Sequence, residues 1–178
     1  MTAAGGAGAT ASSGGSGGAI EPECVEQCPF ERRIHIIPGR IEAEHYDTGG
    51  LDIAYSDTTP GNEGAVFRSD DVDIKESIEG GYAVGWFDLG EWLEYTVDVA
   101  ADGTYLIAIR VGSMLENRTM HVEFDGDDVT GPVAVPLKAQ WDEYDTVTLQ
   151  VTLTGGPHVM RVAIGAMPFI DLNWLEFD

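Results

Sequence analysis

Glu91-Trp92-Leu93-Glu94-Tyr95-Thr96-Val97-Asp98-Val99 alternates from end to end: Leu93, Tyr95, Val97 and Val99 fall on one face, Trp92, Glu94, Thr96 and Asp98 on the other. Neighbouring side chains of a β-strand point to opposite faces, so a segment of period two offers one face to a core and one to water. The same period recurs on both sides of this run. Upstream, Ile41, Ala43 and His45 alternate with Glu42, Glu44 and Tyr46. Downstream, Gly103–Gly112 turns Tyr105, Ile107, Ile109 and Val111 inward; Met120, Val122 and Phe124 repeat the pattern, as do Val147, Leu149, Val151 and Leu153. A last strand is expected over residues 169–177, after Met167-Pro168.

Turn-forming clusters cut the chain between these runs: Pro60-Gly61-Asn62, Gly80-Gly81, Ala101-Asp102-Gly103, Asp125-Gly126-Asp127 and Gly155-Gly156-Pro157. No stretch holds a helical period over three turns. Many short alternating strands separated by turns predict an all-β protein, and 178 residues suit one β-sandwich of jelly-roll type with a single core.

Residues 1–19 are almost wholly Ala, Gly, Ser and Thr, too little apolar surface to offset the entropy of ordering them. Residues 1–33 are therefore read as flexible linker and transition, and residues 34–178 as the folded unit. Linkers of this kind join modules, so the chain is expected to derive from a longer one. No basic segment followed by an apolar run is found after Met1, so no signal peptide is read here. No apolar run approaches bilayer length, and a soluble protein is expected.

Nine basic residues stand against 31 acidic ones, a net charge of −22. Such a surface repels phosphate backbones and anionic lipid, which excludes nucleic acid and membrane surfaces as partners. It suits a neutral ligand, a cationic one, or a metal such as Ca²⁺. Cys24 and Cys28 offer too few ligands for zinc; a small disulfide loop or two thiols are both open.

Several pieces carry a resemblance. Ile41-Glu42-Ala43-Glu44, Gly81-Tyr82-Ala83-Val84-Gly85-Trp86 and Gly90-Glu91-Trp92-Leu93-Glu94-Tyr95 resemble segments of family 6 carbohydrate-binding modules. Gly103-Thr104-Tyr105, the tryptophan of Gln140-Trp141-Asp142 and the ending Leu172-Asn173-Trp174-Leu175-Glu176-Phe177 follow in the family's order. Residues 34–178 are covered, and residues 54–73 are similar to a subset found beside β-glucan- and agar-degrading domains. The resemblance implies a jelly roll, a structural calcium, and sugar binding in a loop-built cleft at one edge, with a second site on the concave sheet face in some members.

The chemistry of sugars fits this reading. A pyranose has an apolar face of C–H bonds and a rim of hydroxyls, so a site needs flat aromatic rings and a few fixed polar groups. Trp86 follows glycines at a strand start, and Trp141 sits in the polar loop Lys138-Ala139-Gln140-Trp141-Asp142-Glu143. On the family pattern these two supply the aromatic pair of the edge cleft; core packing is the competing role. Asp171 stands where the family has an asparagine, and a carboxylate accepts but does not donate. Tyr55 and Glu91 are further candidates for the cleft. Trp92, on the polar face of its strand, matches the aromatic of the concave-face site, with Glu123 as a polar partner.

Glu42 and Glu44, two apart on an expected strand, point to one side, and paired carboxylates invite a hard cation with oxygen ligands. The resemblance implies that these two, a backbone carbonyl near Gly81, and Asn173 hold Ca²⁺. Asp57, Asp70, Asp71 and Asp73 are candidates for a second calcium.

No nucleophile elbow, metalloprotease helix or phosphate-binding glycine loop is present, and His35, His45, His121 and His158 show no metal spacing. A non-catalytic, extracellular polysaccharide-binding module is expected. It would target a catalytic domain of the same native chain to β-glucan, xylan or an agar-type galactan, and act as a monomer. A small β-sandwich glycanase or lyase and a calcium-dependent adhesion module are the alternatives.

Overall fold

The computed structural model describes residues 26–178, and thirteen strands lie among them. They are β1 (His35–Ile37), β2 (Gly39–Glu42), β3 (Tyr55–Ser56), β4 (Ile74–Glu76), β5 (Tyr82–Phe87), β6 (Trp92–Val99) and β7 (Gly103–Gly112). Then follow β8 (Thr119–Phe124), β9 (Asp127–Asp128), β10 (Val133–Ala134), β11 (Asp145–Leu153), β12 (Gly156–Ile164) and β13 (Ile170–Phe177). One sheet runs β1-β6-β12-β8-β10, with β3 also on β6 and β9 on β8. The other runs β11-β7-β13-β5-β4, with β2 also on β13. The pairing is antiparallel save for β1 on β6. This is an all-β sandwich, as the alternation predicts.

The core lies between the two inner faces. Leu93, Tyr95, Val97 and Val99 of β6 meet Ile107, Ile109 and Val111 of β7, Met120 and Val122 of β8, and Leu172, Leu175 and Phe177 of β13, all of them buried. Each large side chain so buried contributes about 1.5–3 kcal/mol. The Tyr95 hydroxyl, sunk in this core, donates to the Ala43 carbonyl at 2.8 Å, which offsets the cost of taking it out of water.

Two expectations are corrected. The upstream alternation is not one strand: β2 ends at Glu42, and Ala43–His45 form a 3₁₀ turn that buries both Ala43 and Glu44. Glu42 and Glu44 thus leave the backbone from a strand end and a tight turn, not from one pleated face. Order also begins before Ile34. Cys28 exchanges backbone hydrogen bonds with Thr48, and the Phe30 ring stacks on His45 with centroids 4.7 Å apart. The residue 1–19 linker and Cys24 lie outside the described residues.

Candidate functional site: an aromatic cleft beside the β5–β13 pair

Gly85 and Trp86 of β5 together face the single residue Asp171 of β13, because the register runs from Phe87 opposite Ile170 to Val84 opposite Leu172. This is a β-bulge, which bends a strand and re-aims the extra side chain. Trp86 takes a left-handed φ of 50° there and stands 44% exposed, while Phe87 beside it is buried. Phe169, just before β13, is likewise left-handed, at 68°, and 40% exposed. Non-glycine residues rarely adopt this region, and such strain collects at ligand sites.

Opposite them comes the loop between β10 and β11. Gly112 ends β7 at a place where a Cβ would lie 2.2 Å from the Glu143 carbonyl, so only glycine lets this loop pack so close. The loop presents Trp141, 40% exposed. Trp86, Trp141 and Phe169 line one cleft of about 530 Å³ together with Leu115, Lys75, Asp142 and Asp171. That volume suits a small ligand.

The polar wall is an ion cluster. Lys75 Nζ of β4 lies 2.6 Å from Asp171 Oδ2 and 2.8 Å from Asp142 Oδ1, and donates to the Trp141 carbonyl at 3.3 Å. Burial lifts the Asp171 carboxyl above its ordinary range, against the pull of Lys75. Burial works against the Lys75 charge too, but its bonds to Asp142 and Asp171 outweigh it and raise the ammonium's pKa. Gly85 makes room for the cluster: a Cβ there would lie 3.2 Å from both Asp171 Oδ1 and Lys75 Cδ. Asp171, which the resemblance places where an asparagine is usual, is thus a carboxylate paired with a lysine.

Tyr55 and Glu91 are not in the cleft. Tyr55 is a core residue of β3, 4% exposed, its ring 5.7 Å from Tyr46. Glu91 is buried and ties loops together, accepting from Thr58 N and Oγ1 at 2.9 and 2.7 Å and from Asp88 N at 2.6 Å. Both look polar or aromatic enough for a ligand in sequence, but their partners are internal.

Trp92 lies on the outer face of the other sheet. The Arg161 guanidinium stacks 4.2 Å from its ring centre and is held by Glu94 at 2.5 and 2.9 Å. Glu123 completes this network, 2.9 Å from His121 and 3.8 Å from Arg161. One face of the Trp92 ring is therefore taken by the protein itself.

The cation set fares differently. Glu44 is 4% exposed, and its Oε2 is buried without a hydrogen-bond partner. Burial, and the neighbouring charge of Glu42, push its carboxyl up to about 7. A Cβ on Gly81 would lie 3.9 Å from Glu44 Oε1, so the 80–81 turn runs against this carboxylate. Asn173, 2% exposed, points its amide at Ser77 Oγ and Glu79 Oε2, 3.4 and 3.0 Å away. An orphaned carboxylate oxygen beside a second carboxylate is the environment that a hard cation relieves.

Each of the 57–73 aspartates has an internal partner. Asp57 accepts from Thr59, Asp70 from Tyr46 and Arg68, Asp71 from Gly61 N, and Asp73 from Glu63 N. Among the described residues no cluster of three or more His, Cys, Asp or Glu is arranged for a metal.

Lys75, Phe169 and Leu115 were not legible as site residues. Lys75 sits on a three-residue strand with nothing to mark it. Phe169 reads as the first apolar residue of the last strand, yet its backbone turns it outward.

The model of the family described as carbohydrate binding module (family 6) matches residues 42–178. An isomaltosyltransferase of Sporosarcina globispora is 28% identical over 94 residues, 53% of this chain. That stretch is only 8% of the relative's length. A carbohydrate binding module of Cellvibrio mixtus lichenase 5A, in complex with cellotriose, is 24% identical with a TM-score of 0.60, covering 79% of this chain and 96% of that one. A family 6 module of Clostridium cellulolyticum, in complex with xylose, is 23% identical with a TM-score of 0.61, covering 81% and 99%. The two solved structures share the fold.

Proposed function

The chain belongs to family 6 of the carbohydrate-binding modules, and from that premise we propose that the cleft of Trp86, Trp141 and Phe169 is its sugar site. The carrying observation is that a bulge and a loop from opposite sides bring three half-exposed rings onto one cavity, with Lys75, Asp142 and Asp171 on its wall. Rings cover the C–H face of a pyranose; the carboxylates accept from its hydroxyls, and the ammonium, whose three N–H bonds go to Asp171, Asp142 and the Trp141 carbonyl, holds them in place. With two carboxylates to one ammonium in an acidic chain, the site favours a neutral sugar over a uronate.

The ligand class we favour is a β-linked glucan or xylan. The relatives crystallised with cellotriose and xylose support it. The isomaltosyltransferase relative supports a second reading, an α-linked glucan. The module acts as the targeting part of a secreted polysaccharide-degrading enzyme. A panel of insoluble and soluble glycans separates these readings: retention on β-glucan or xylan supports the first, and retention on dextran alone replaces it. Release of reducing ends by the purified chain would contradict a non-catalytic role.

We also infer that Glu42, Glu44, the carbonyl at Gly81 and Asn173 hold Ca²⁺. The orphaned, buried Glu44 Oε2 supports this. A bound Ca²⁺ would neutralise Glu44, which among the described residues has no cationic partner as Glu42 has in Arg40 at 2.9 Å, and pin the 3₁₀ turn to β13 and the 80–81 turn. The role is structural, since these residues do not line the cleft.

A further inference from the structure

Among the described residues, β11 is an edge strand whose sequence carries none of the usual protection. Among the described residues it pairs with β7 alone, in unbroken register from Asp145–Val111 to Leu153–Gly103. It is nine residues long, without bulge or proline, and Asp145 at its start is its sole charged residue. Protected edges carry lysines, prolines, bulges or short strands, since a bare edge recruits another strand. A chain with 31 acidic residues that leaves this stretch uncharged up to His158 has removed the repulsion where it would matter.

The sequence of the strand is self-complementary. Thr146-Val147-Thr148-Leu149-Gln150-Val151-Thr152 reads nearly the same in both directions about Leu149. Two copies laid antiparallel about that point set Thr146 against Thr152, Val147 against Val151, Thr148 against Gln150, and Leu149 against itself. Threonine and β-branched cross-strand pairs are favourable. The faces also agree. Thr146, Thr148, Gln150 and Thr152 are all exposed on the outer face, while Val147 and Leu149 are only partly covered by the core of their own chain. A second strand would cover what that core leaves open.

We propose that β11 is a homodimer interface in which two copies pair antiparallel about Leu149, joining their second sheets across a two-fold axis. A two-fold contact uses one patch twice, and a pseudo-palindromic strand is such a patch. This departs from the monomer expected above. The Trp141 loop leads into the Asp145 end of each strand, so the dimer sets its two clefts at opposite ends of the shared ribbon and binds a polysaccharide bivalently. The area of one strand pair is small and both chains carry the same charge, so the dimer is weak and strengthens with added salt.

Sedimentation equilibrium on the whole chain tests this over a concentration series to about 1 mM, at low and high salt. The mass is expected to rise from 19.1 kDa to about double with concentration, more readily at high salt. Thr148→Lys with Gln150→Lys sets like charges across the dyad at exposed positions and should hold the protein at monomer mass. Thr148→Lys with Gln150→Glu sets opposite charges across it and should restore the dimer. A wild-type chain that stays at monomer mass throughout overturns the proposal. So does a dimer that both double variants form equally, since pairing then lies elsewhere. A dimer that appears only once residues 1–25 are deleted also overturns it, because the N-terminal segment would then be the edge's occupant.

Discussion

Lys75 joins the two walls of the cleft: its Nζ lies 2.6 Å from Asp171 on β13 and 2.8 Å from Asp142 on the Trp141 loop. Lys75→Met keeps the stem and removes the charge, leaving Asp171 buried and uncompensated. Breaking a buried pair by removing one partner costs about 3–5 kcal/mol, less where the remaining carboxyl takes a proton. Urea unfolding should show a loss in this direction, while Lys75→Arg should recover most of it. Equal stability of Lys75→Met and the parent would mean that the cluster contributes nothing to the fold.

Gly85→Ala probes the bulge. The added methyl meets Asp171 Oδ1 and Lys75 Cδ at 3.2 Å, so the cluster must shift by tenths of an ångström. Overpacking of this kind costs about 1–3 kcal/mol. Sugar affinity is expected to fall several-fold with the sandwich retained in circular dichroism.

His158 ties two turns together at another end of the molecule. Its Nδ1 lies 2.7 Å from Asp125 Oδ2 and its Nε2 2.9 Å from the Thr154 carbonyl, so both nitrogens face acceptors and the imidazolium is favoured. The bond to Asp125 raises the histidine's pKa above 6.5. The Val159 amide and His158 lower that of Asp125 below 3.8. A raised histidine contributes fully below its unfolded pKa and loses its contribution as pH rises through the folded one. A depressed aspartate contributes above its unfolded pKa and loses its contribution as pH falls through the folded one. Wild-type stability should therefore slope downward above pH 6.5, modestly because Asp125 is half exposed, and His158→Gln should flatten that slope. Thermal melts across the pH range decide it.

Calcium should raise the melting temperature. A ligand that binds only the native state at a hundredfold excess over Kd adds about 2.7 kcal/mol. Glu44→Gln should abolish the response to chelator, because it removes the buried carboxylate. An unchanged midpoint with and without chelator, and no metal in elemental analysis, would refute the site.

Much of this architecture was legible in the sequence because strand burial has a strict period. Leu93, Tyr95, Val97 and Val99 are all buried, as are Ile107, Ile109 and Val111. Trp86 and Trp141 could be singled out because an apolar ring beside glycines or inside a polar loop is locally inconsistent with a core. What was not legible depends on tertiary register. The bulge at Asp171 appears only once β5 and β13 are paired, and it explains why Val84 and Phe87, three apart, both enter the core while Trp86 faces out. Lys75 is recruited from a strand far away in sequence. Tyr55 and Glu91 misled for the same reason: their partners, Tyr46 and Thr58, are set by packing that no local pattern encodes.

The central claim is that Trp86 and Trp141 form the sugar site. Calorimetric titration of the retained glycan into Trp86→Ala, Trp141→Ala and Trp92→Ala tests it most directly. Binding by the parent is expected at about −4 to −8 kcal/mol, millimolar to micromolar. Either cleft variant should lose measurable binding with its melting temperature nearly unchanged, because both rings are 40% or more exposed and hold little of the core. Trp92→Ala should bind as the parent does. Normal binding by both cleft variants, with loss in Trp92→Ala, would contradict the account and move the site to the opposite sheet.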